Sequence, residues 1–288
     1  MTRTAPWPAR ATWLLVGLLS VPALRAALHV HSTPVRLVAA TELWALWAVA
    51  LLATLVPRTV SLTVYRTIAP LSVVAAIGSL LGHASAAAGV VAVAAALVAT
   101  ATALGRATTD AFVDGSSYGP EQRFGLRTPV FLLVGPVPLA WLATVGGLGG
   151  PLLLAARQWL PGAALTLAGL AGARFASRSL HTLARRWIVL VPAGLVLHDP
   201  LVLADAILIP RRRIACLGPA RADTRATDLT QGAPVLPLEA QLTEPVELSL
   251  RAGRTAADDA LSTDRVLFAP VRPGALLSSA AAHRVAVG

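Results

Sequence analysis

Arg174-Phe-Ala-Ser-Arg178-Ser-Leu-His-Thr-Leu-Ala-Arg185-Arg186-Trp187 divides this chain into two halves of opposite character. Before it, long apolar runs alternate with short polar breaks; after it, short apolar runs alternate with turn residues. The first pattern is that of helices in lipid, the second that of β-strands in water. Four arginines crowd the junction. Positive residues that flank spans are retained on the cytoplasmic side, so the junction, residues 174–186, is assigned to the cytoplasm and sets the topology of the rest.

Composition agrees with the first half of that reading. The 288 residues are 56% hydrophobic and only 13% charged, with a mean hydropathy of +0.68, which is a membrane composition. A net charge of +10 invites a nucleic-acid partner. Its distribution argues otherwise: residues 1–186 hold 14 Arg against 4 acids, and residues 187–288 hold 10 Arg against 10 acids. The excess therefore lies beside the spans, where it sets topology, and nucleic-acid binding is set aside. Lysine is absent throughout, so an individual arginine is not read as chosen for its fork geometry. The single cysteine, Cys216, excludes an intramolecular disulfide and a multi-cysteine metal site, and is read as a small buried apolar residue.

Apolar runs at about 11–28, 38–56, 61–82 and 84–105 each approach the ~20 residues that cross a hydrocarbon core. The run from Pro129 to Ala173 is long enough for two more. It turns either at Gly146–Pro151 or, preferably, at Arg157–Gly162, where Arg157 and Trp159 suit an interface and Pro161 suits the first turn of a helix. Six spans with the junction inside put Arg3, Arg10, Arg58, Arg66, Arg106, Arg123 and Arg127 inside as well, and only Arg25, Arg36 and Arg157 outside. An alternative is a cleaved leader followed by five spans. Ala84, Ala88, Ala92, Ala96 and Thr100 form a small-residue ridge that predicts an interior position for the fourth span.

After Trp187, Trp187–Val191 and Leu195–His198 flank Pro192-Ala193-Gly194 as a hairpin. Ala206–Ile209 and Ile214–Leu217 are further strands. Leu236–Leu242 and Val246–Arg251 alternate as a second hairpin about Thr243-Glu244-Pro245, Arg265–Ala269 is a last strand, and Ala275–Arg284 is a short helix. The expected core is Ile188, Leu190, Leu197, Ile207, Leu248 and Phe268, covered by Leu276 and Leu277.

The stretches Arg185–Asp205 and Arg272-Pro-Gly-Ala-Leu-Leu277, a β-rich segment closed by a C-terminal helix directly after membrane spans, resemble the bacterial pleckstrin-homology-like (PH-like) domains of integral membrane proteins from high-GC Gram-positive bacteria. The loop Asp114–Pro129 resembles part of the same pattern. The resemblance implies a small PH-like β barrel and carries no catalytic signature.

Several features have a functional and a plain reading. Arg106–Thr128 is the longest polar insertion, and Asp114-Gly115, Gly119-Pro120 and Gly125 predict turns rather than helix. Such loops are uncommon unless functional or disordered. It is read as a docking surface for the β domain or a partner, with Tyr118, Glu121, Arg123 and Arg127 as contacts, or else as a connector. Arg25 and Glu42 lie at similar depth and are expected to pair, since charges within a membrane are costly alone. His29, His31 and His83 lie on the same side but lack a close-spaced helical pair, so no metal site is inferred. Gly135-Pro-Val-Pro138, Pro161-Gly162, Pro22 and Pro70 are read either as the broken spans of a transporter or as ordinary kinks. Arg211-Arg212-Arg213 either grips anionic lipid headgroups or is a solvated turn offset by Asp199 and Asp205. G-x-S-x-G, H-E-x-x-H and Walker motifs are absent, and Ser116-Ser117 has no evident base beside it.

The sequence thus predicts an α-helical transmembrane bundle of six spans over 1–173, with cytoplasmic loop 106–128, then the basic junction and an all-β PH-like barrel with a C-terminal helix over 187–288, expected to be self-contained. It reads as a multi-pass cell-membrane protein with both termini cytoplasmic. Its partners are the bilayer and, through the β domain, a protein or anionic headgroups. No enzyme activity and no cofactor are inferred. The alternative is a small transporter or channel component with a regulatory β domain.

Overall fold

A computed structural model describes residues 6–115, 117–233, 235–251 and 261–288. The chain forms two compact units, a helical one from Met1–Phe112 and Val134–His181, and a β unit from Val113–Leu133 and Thr182–Gly288. The boundary differs from the one expected. The β unit does not begin after the junction; it draws a segment from between the spans.

The helices are α1 (Trp7–Leu28), α2 (Thr33–Leu55), α3 (Thr59–Leu81), α4 (Ala86–Leu104), α5 (Arg106–Asp114), α6 (Pro136–Ala155) and α7 (Trp159–Ala184). Burial in this unit is inverted relative to a water-soluble bundle. Ala50, Ala69, Ala92, Ala96, Ala99 and Ala103 are buried, while Leu18, Leu81, Leu142 and Leu160 are more than two-thirds exposed. Small residues let helix backbones approach, and large apolar side chains facing outward suit contact with lipid. α4 packs on both α1 and α3, as its alanine ridge predicts. A second small-residue seam joins α6 to α7. A Cβ on Gly146 would sit 3.2 Å from the Gly169 backbone, and one on Gly150 would run into Thr166.

Among the described residues, five helices are long and apolar enough to cross a membrane: α1 to α4, and the stretch Val130–Ala155 that contains α6. The sixth expected span, α7, has the length at 26 residues, but Arg174 and Arg178 occupy its second half. The turn before it falls at Ala156–Gln158, with Arg157 at φ 63°. The proline breaks are milder than expected. Gly135 caps α6 and Pro136 opens it, and Pro161 lies in the first turn of α7, where a missing N–H costs nothing.

In the β unit, β1 (Gln122–Gly125), β2 (Trp187–Val191), β3 (Gly194–His198) and β4 (Ile207–Pro210) form an antiparallel sheet in that order. A second sheet has the order β5-β7-β8-β6, from β5 (Ile214–Pro219), β6 (Thr227–Asp228), β7 (Leu238–Leu248) and β8 (Leu261–Phe268). The hairpin expected about Thr243-Glu244-Pro245 is absent. β7 runs through it, with the register against β8 slipping between Gln241 and Val246. Pro245 has no N–H for a ladder, and a bulge is where a strand tolerates that. The β2–β3 hairpin does form. Gly194, at φ 156°, has no room for a Cβ, which would collide with the Ile209 carbonyl oxygen.

Both sheets face one core. It holds Ile188, Leu190, Leu197, Leu248 and Phe268, together with Leu276 and Ala280 of α8 (Pro273–Ala282); Ile207 and Leu277 pack against it half-buried. Isolated bridges Leu126–Pro270 and Leu203–Leu250 stitch the sheets at their corners. The expected barrel is thus two open sheets around a shared core. The Leu217 amide donates to Ala286 and the Gly288 amide to Leu217, so the last residues cover the outer edge of β5.

Candidate interaction site

The inter-span loop has two parts that its glycines concealed. Its first nine residues form α5, where an all-turn segment was expected. Apolar burial accounts for the helix: Phe112 stacks on Tyr65 at 6.2 Å, and Tyr65 meets Trp13 edge-on at 5.6 Å. Arg66 is a structural tie besides a topology charge. Its Nε donates to the Ala103 carbonyl (3.0 Å) at the end of α4, and its guanidinium donates to Thr109 Oγ1 (2.5 Å) in α5.

The second part is β1. Gln122, Arg123, Phe124 and Gly125 pair with Leu190, Val189, Ile188 and Trp187. Asp114 prepares the turn: Oδ1 accepts from Ser117 Oγ (2.8 Å) and from the Arg123 amide (2.9 Å). Past β1, the Leu126 amide donates to Arg186, the Arg127 amide to Ala269 and the Val271 amide to Gly125. This segment is a working strand of the β unit.

The strongest polar feature was hidden among the junction arginines. Arg186 and Asp199 are each 1% exposed and form a two-pronged pair, Nε to Oδ1 at 2.8 Å and Nη2 to Oδ2 at 2.7 Å. The third guanidinium nitrogen donates to the Arg127 carbonyl at 3.0 Å. Burial of a charge is tolerated only with this kind of saturation. One of the four junction arginines is therefore a core group. Asp199, expected to offset the arginine triplet, is occupied elsewhere. The hairpin register implies the pair: Trp187 faces His198, which sets Arg186 opposite Asp199 one rung further.

On the sheet face away from the core, the Arg123 guanidinium lies 5.9 Å from the Trp187 ring, and Trp187 stacks on His198 at 4.7 Å. Glu121 pairs with Arg123 at 3.5 Å. Burial pushes the His198 pKa down, aided by Arg185 and Arg123 and opposed by Asp199. A neutral imidazole next to an indole and a guanidinium makes a cation–π stack, an arrangement that Arg and Trp bring to interfaces.

Of the residues singled out, Glu121 and Arg123 come together; Tyr118 joins them through its backbone, its N–H donating to Glu121 Oε2 (3.5 Å) and its carbonyl accepting from the Glu121 amide (3.2 Å), while the residue is 86% exposed beside Gly119 at φ 59°. Arg127 works through its backbone. Ser116 lies outside the described residues. In the triplet, Arg213 pairs with Glu244 at 3.1 Å, while Arg211 and Arg212 are exposed and form no ion pair among the described residues. Exposed Leu208 precedes them, and the Arg211 amide binds the Ala193 carbonyl, which places the pair at the tip of the β2–β3 turn. Arg25 and Glu42, expected to pair, make no ion pair with each other; Arg25 lies exposed in the last turn of α1. Comparison with protein-family models, curated proteins and solved structures gives no match.

Proposed function

We propose that this is a six-span protein of the cell membrane, with both termini cytoplasmic, whose β unit is a PH-like domain for protein or anionic-lipid contacts, as in the bacterial group it resembles. The observation that carries the reading is β1. A segment between membrane spans completes the sheet of the C-terminal region, so the β unit is tied by chain to the spans on both sides of that segment as well as after α7, and serves as a platform for contacts. The arginine distribution supports the cytoplasmic assignment. Exposed Tyr118, and Arg211 with Arg212 beside Leu208, are the groups this platform offers to a partner. The transporter reading gains less, because Pro136 and Pro161 lie in the first turns of α6 and α7, and α1, α3 and α6 continue as helix through Pro22, Pro70 and Pro151.

The test is in-cell photo-cross-linking of the full chain with a photoreactive phenylalanine analogue at Tyr118 or at Arg212, beside a reporter fused after Gly288. A discrete protein adduct at either site, or a phospholipid adduct at 212, with a cytoplasmic reporter signal, supports the reading. Absence of any adduct at both sites, or an external reporter signal, contradicts it.

A further inference from the structure

Within the helical unit, α1, α2, α3 and α6 line a partly open cavity of about 590 Å³. One end is closed by two tryptophans that satisfy each other: Trp13 Nε1 donates to the Trp47 carbonyl (2.9 Å), and Trp47 Nε1 donates to the Trp13 carbonyl (3.2 Å). Their polar atoms are spent, so both present apolar ring surface. Gly17 makes this closure workable, since any Cβ there would strike the Trp47 indole. The walls are aliphatic, with contributions such as Leu24, Leu43, Leu71 and Leu148, and the Ser72 hydroxyl is turned onto the Ala69 carbonyl at 2.6 Å.

Among the described residues, one charge lines this space, and it is Arg25. No carboxylate shares the lining, and Arg25 has neither an ion pair nor a side-chain hydrogen bond among the described residues. Trp13 and Arg25 are twelve residues apart on one helix, about 18 Å at 1.5 Å per residue. One leaflet of a hydrocarbon core about 30 Å thick is about 15 Å deep. The cavity therefore has the length of a single leaflet's acyl chain, an apolar floor, and a cation at its mouth.

We propose that this cavity holds one anionic phospholipid, its acyl chain between α1, α2, α3 and α6 with the terminus against the Trp13–Trp47 pair, and its phosphate on Arg25. The guanidinium fork matches two phosphate oxygens. A lipid seated this way supplies the counter-charge that Glu42 does not. The site is independent of any role of the β unit.

The test uses the full-length protein in mild detergent, titrated with phosphatidylglycerol or phosphatidylcholine of matched chains and read by native mass spectrometry. One phosphatidylglycerol is expected to bind, preferred about tenfold over phosphatidylcholine, the scale of a hydrogen bond to a charged group. Arg25→Gln removes the preference and leaves the fold unchanged by circular dichroism. Ala75→Phe, which fills the cavity from α3, removes binding of both lipids. Equal binding of the two lipids to the natural protein, or an unchanged preference in Arg25→Gln, overturns the proposal, whether or not Ala75→Phe folds.

Discussion

Asp199→Ala should destabilise the β unit severely, because it strands a buried charge. It removes both carboxylate acceptors of Arg186 and leaves a guanidinium at 1% exposure with only the Arg127 carbonyl, 3.0 Å away. It also removes the acceptor of the Leu201 amide, 3.2 Å from Oδ1. Breaking a buried pair by deleting one partner costs about 3–5 kcal/mol, because the other charge is stranded. Most domains are stable by only about 5–15 kcal/mol, so the loss is a large share of the whole. At a factor of ten for every ~1.4 kcal/mol, slow amides should exchange at least ~100-fold faster. The assay is hydrogen exchange by mass spectrometry on the detergent-solubilised full chain, reading peptides that cover 122–128 and 187–203. Arg186→Met combined with Asp199→Leu removes both charges and should cost less than Asp199→Ala alone, since no charge is left behind. Exchange in Asp199→Ala within about threefold of the natural protein, a difference of less than ~1 kcal/mol, would refute the view of this pair as a core element.

Two further outcomes follow from the same unit. Because the folded state holds His198 neutral with a lowered pKa, the unfolded chain takes up the proton first as pH falls below about 6.5, the ordinary histidine value. The β unit should lose stability as pH falls from there toward the folded pKa and regain none of it further down; melting at pH 7.5 and pH 5.5 should show this, with a smaller difference in His198→Phe. Leu276→Ala empties a fully buried position where α8 meets the two-sheet core, and should cost about 2–5 kcal/mol in denaturant unfolding.

The sequence disclosed what periodicity and length control. Apolar runs gave the membrane helices, Pro192–Gly194 gave the first hairpin, and six of the eight expected core positions are buried, with Ile207 and Leu277 half-buried. It concealed whatever depends on distant partners. Gln122–Gly125 is four residues of ordinary composition and becomes a strand because β2 offers an open edge. Thr243-Glu244-Pro245 has the composition of a turn, yet pairing on both sides of β7 carries the chain through it as a bulge. Arg186 looked like its neighbours at the junction, and only the hairpin register distinguishes it. Depth alone pairs Arg25 with Glu42, whereas its place at the mouth of a cavity depends on how four helices pack.

The central claim is that an inter-span segment is a strand of the C-terminal β unit, and a register-specific cross-link tests it most directly. In a Cys216→Ser background of the full chain, Arg123→Cys and Val189→Cys stand directly opposite each other, and antiparallel partners lie about 4.5–5.5 Å apart between Cα atoms, within disulfide reach. Mild oxidation followed by cleavage at an engineered protease site in the Ala156–Gln158 turn should leave two fragments joined until reduced. Arg123→Cys with Val191→Cys, one diagonal step out of register at roughly 7–8 Å, should separate. Fragments that separate in the first variant, or stay joined equally in both, would contradict the shared sheet.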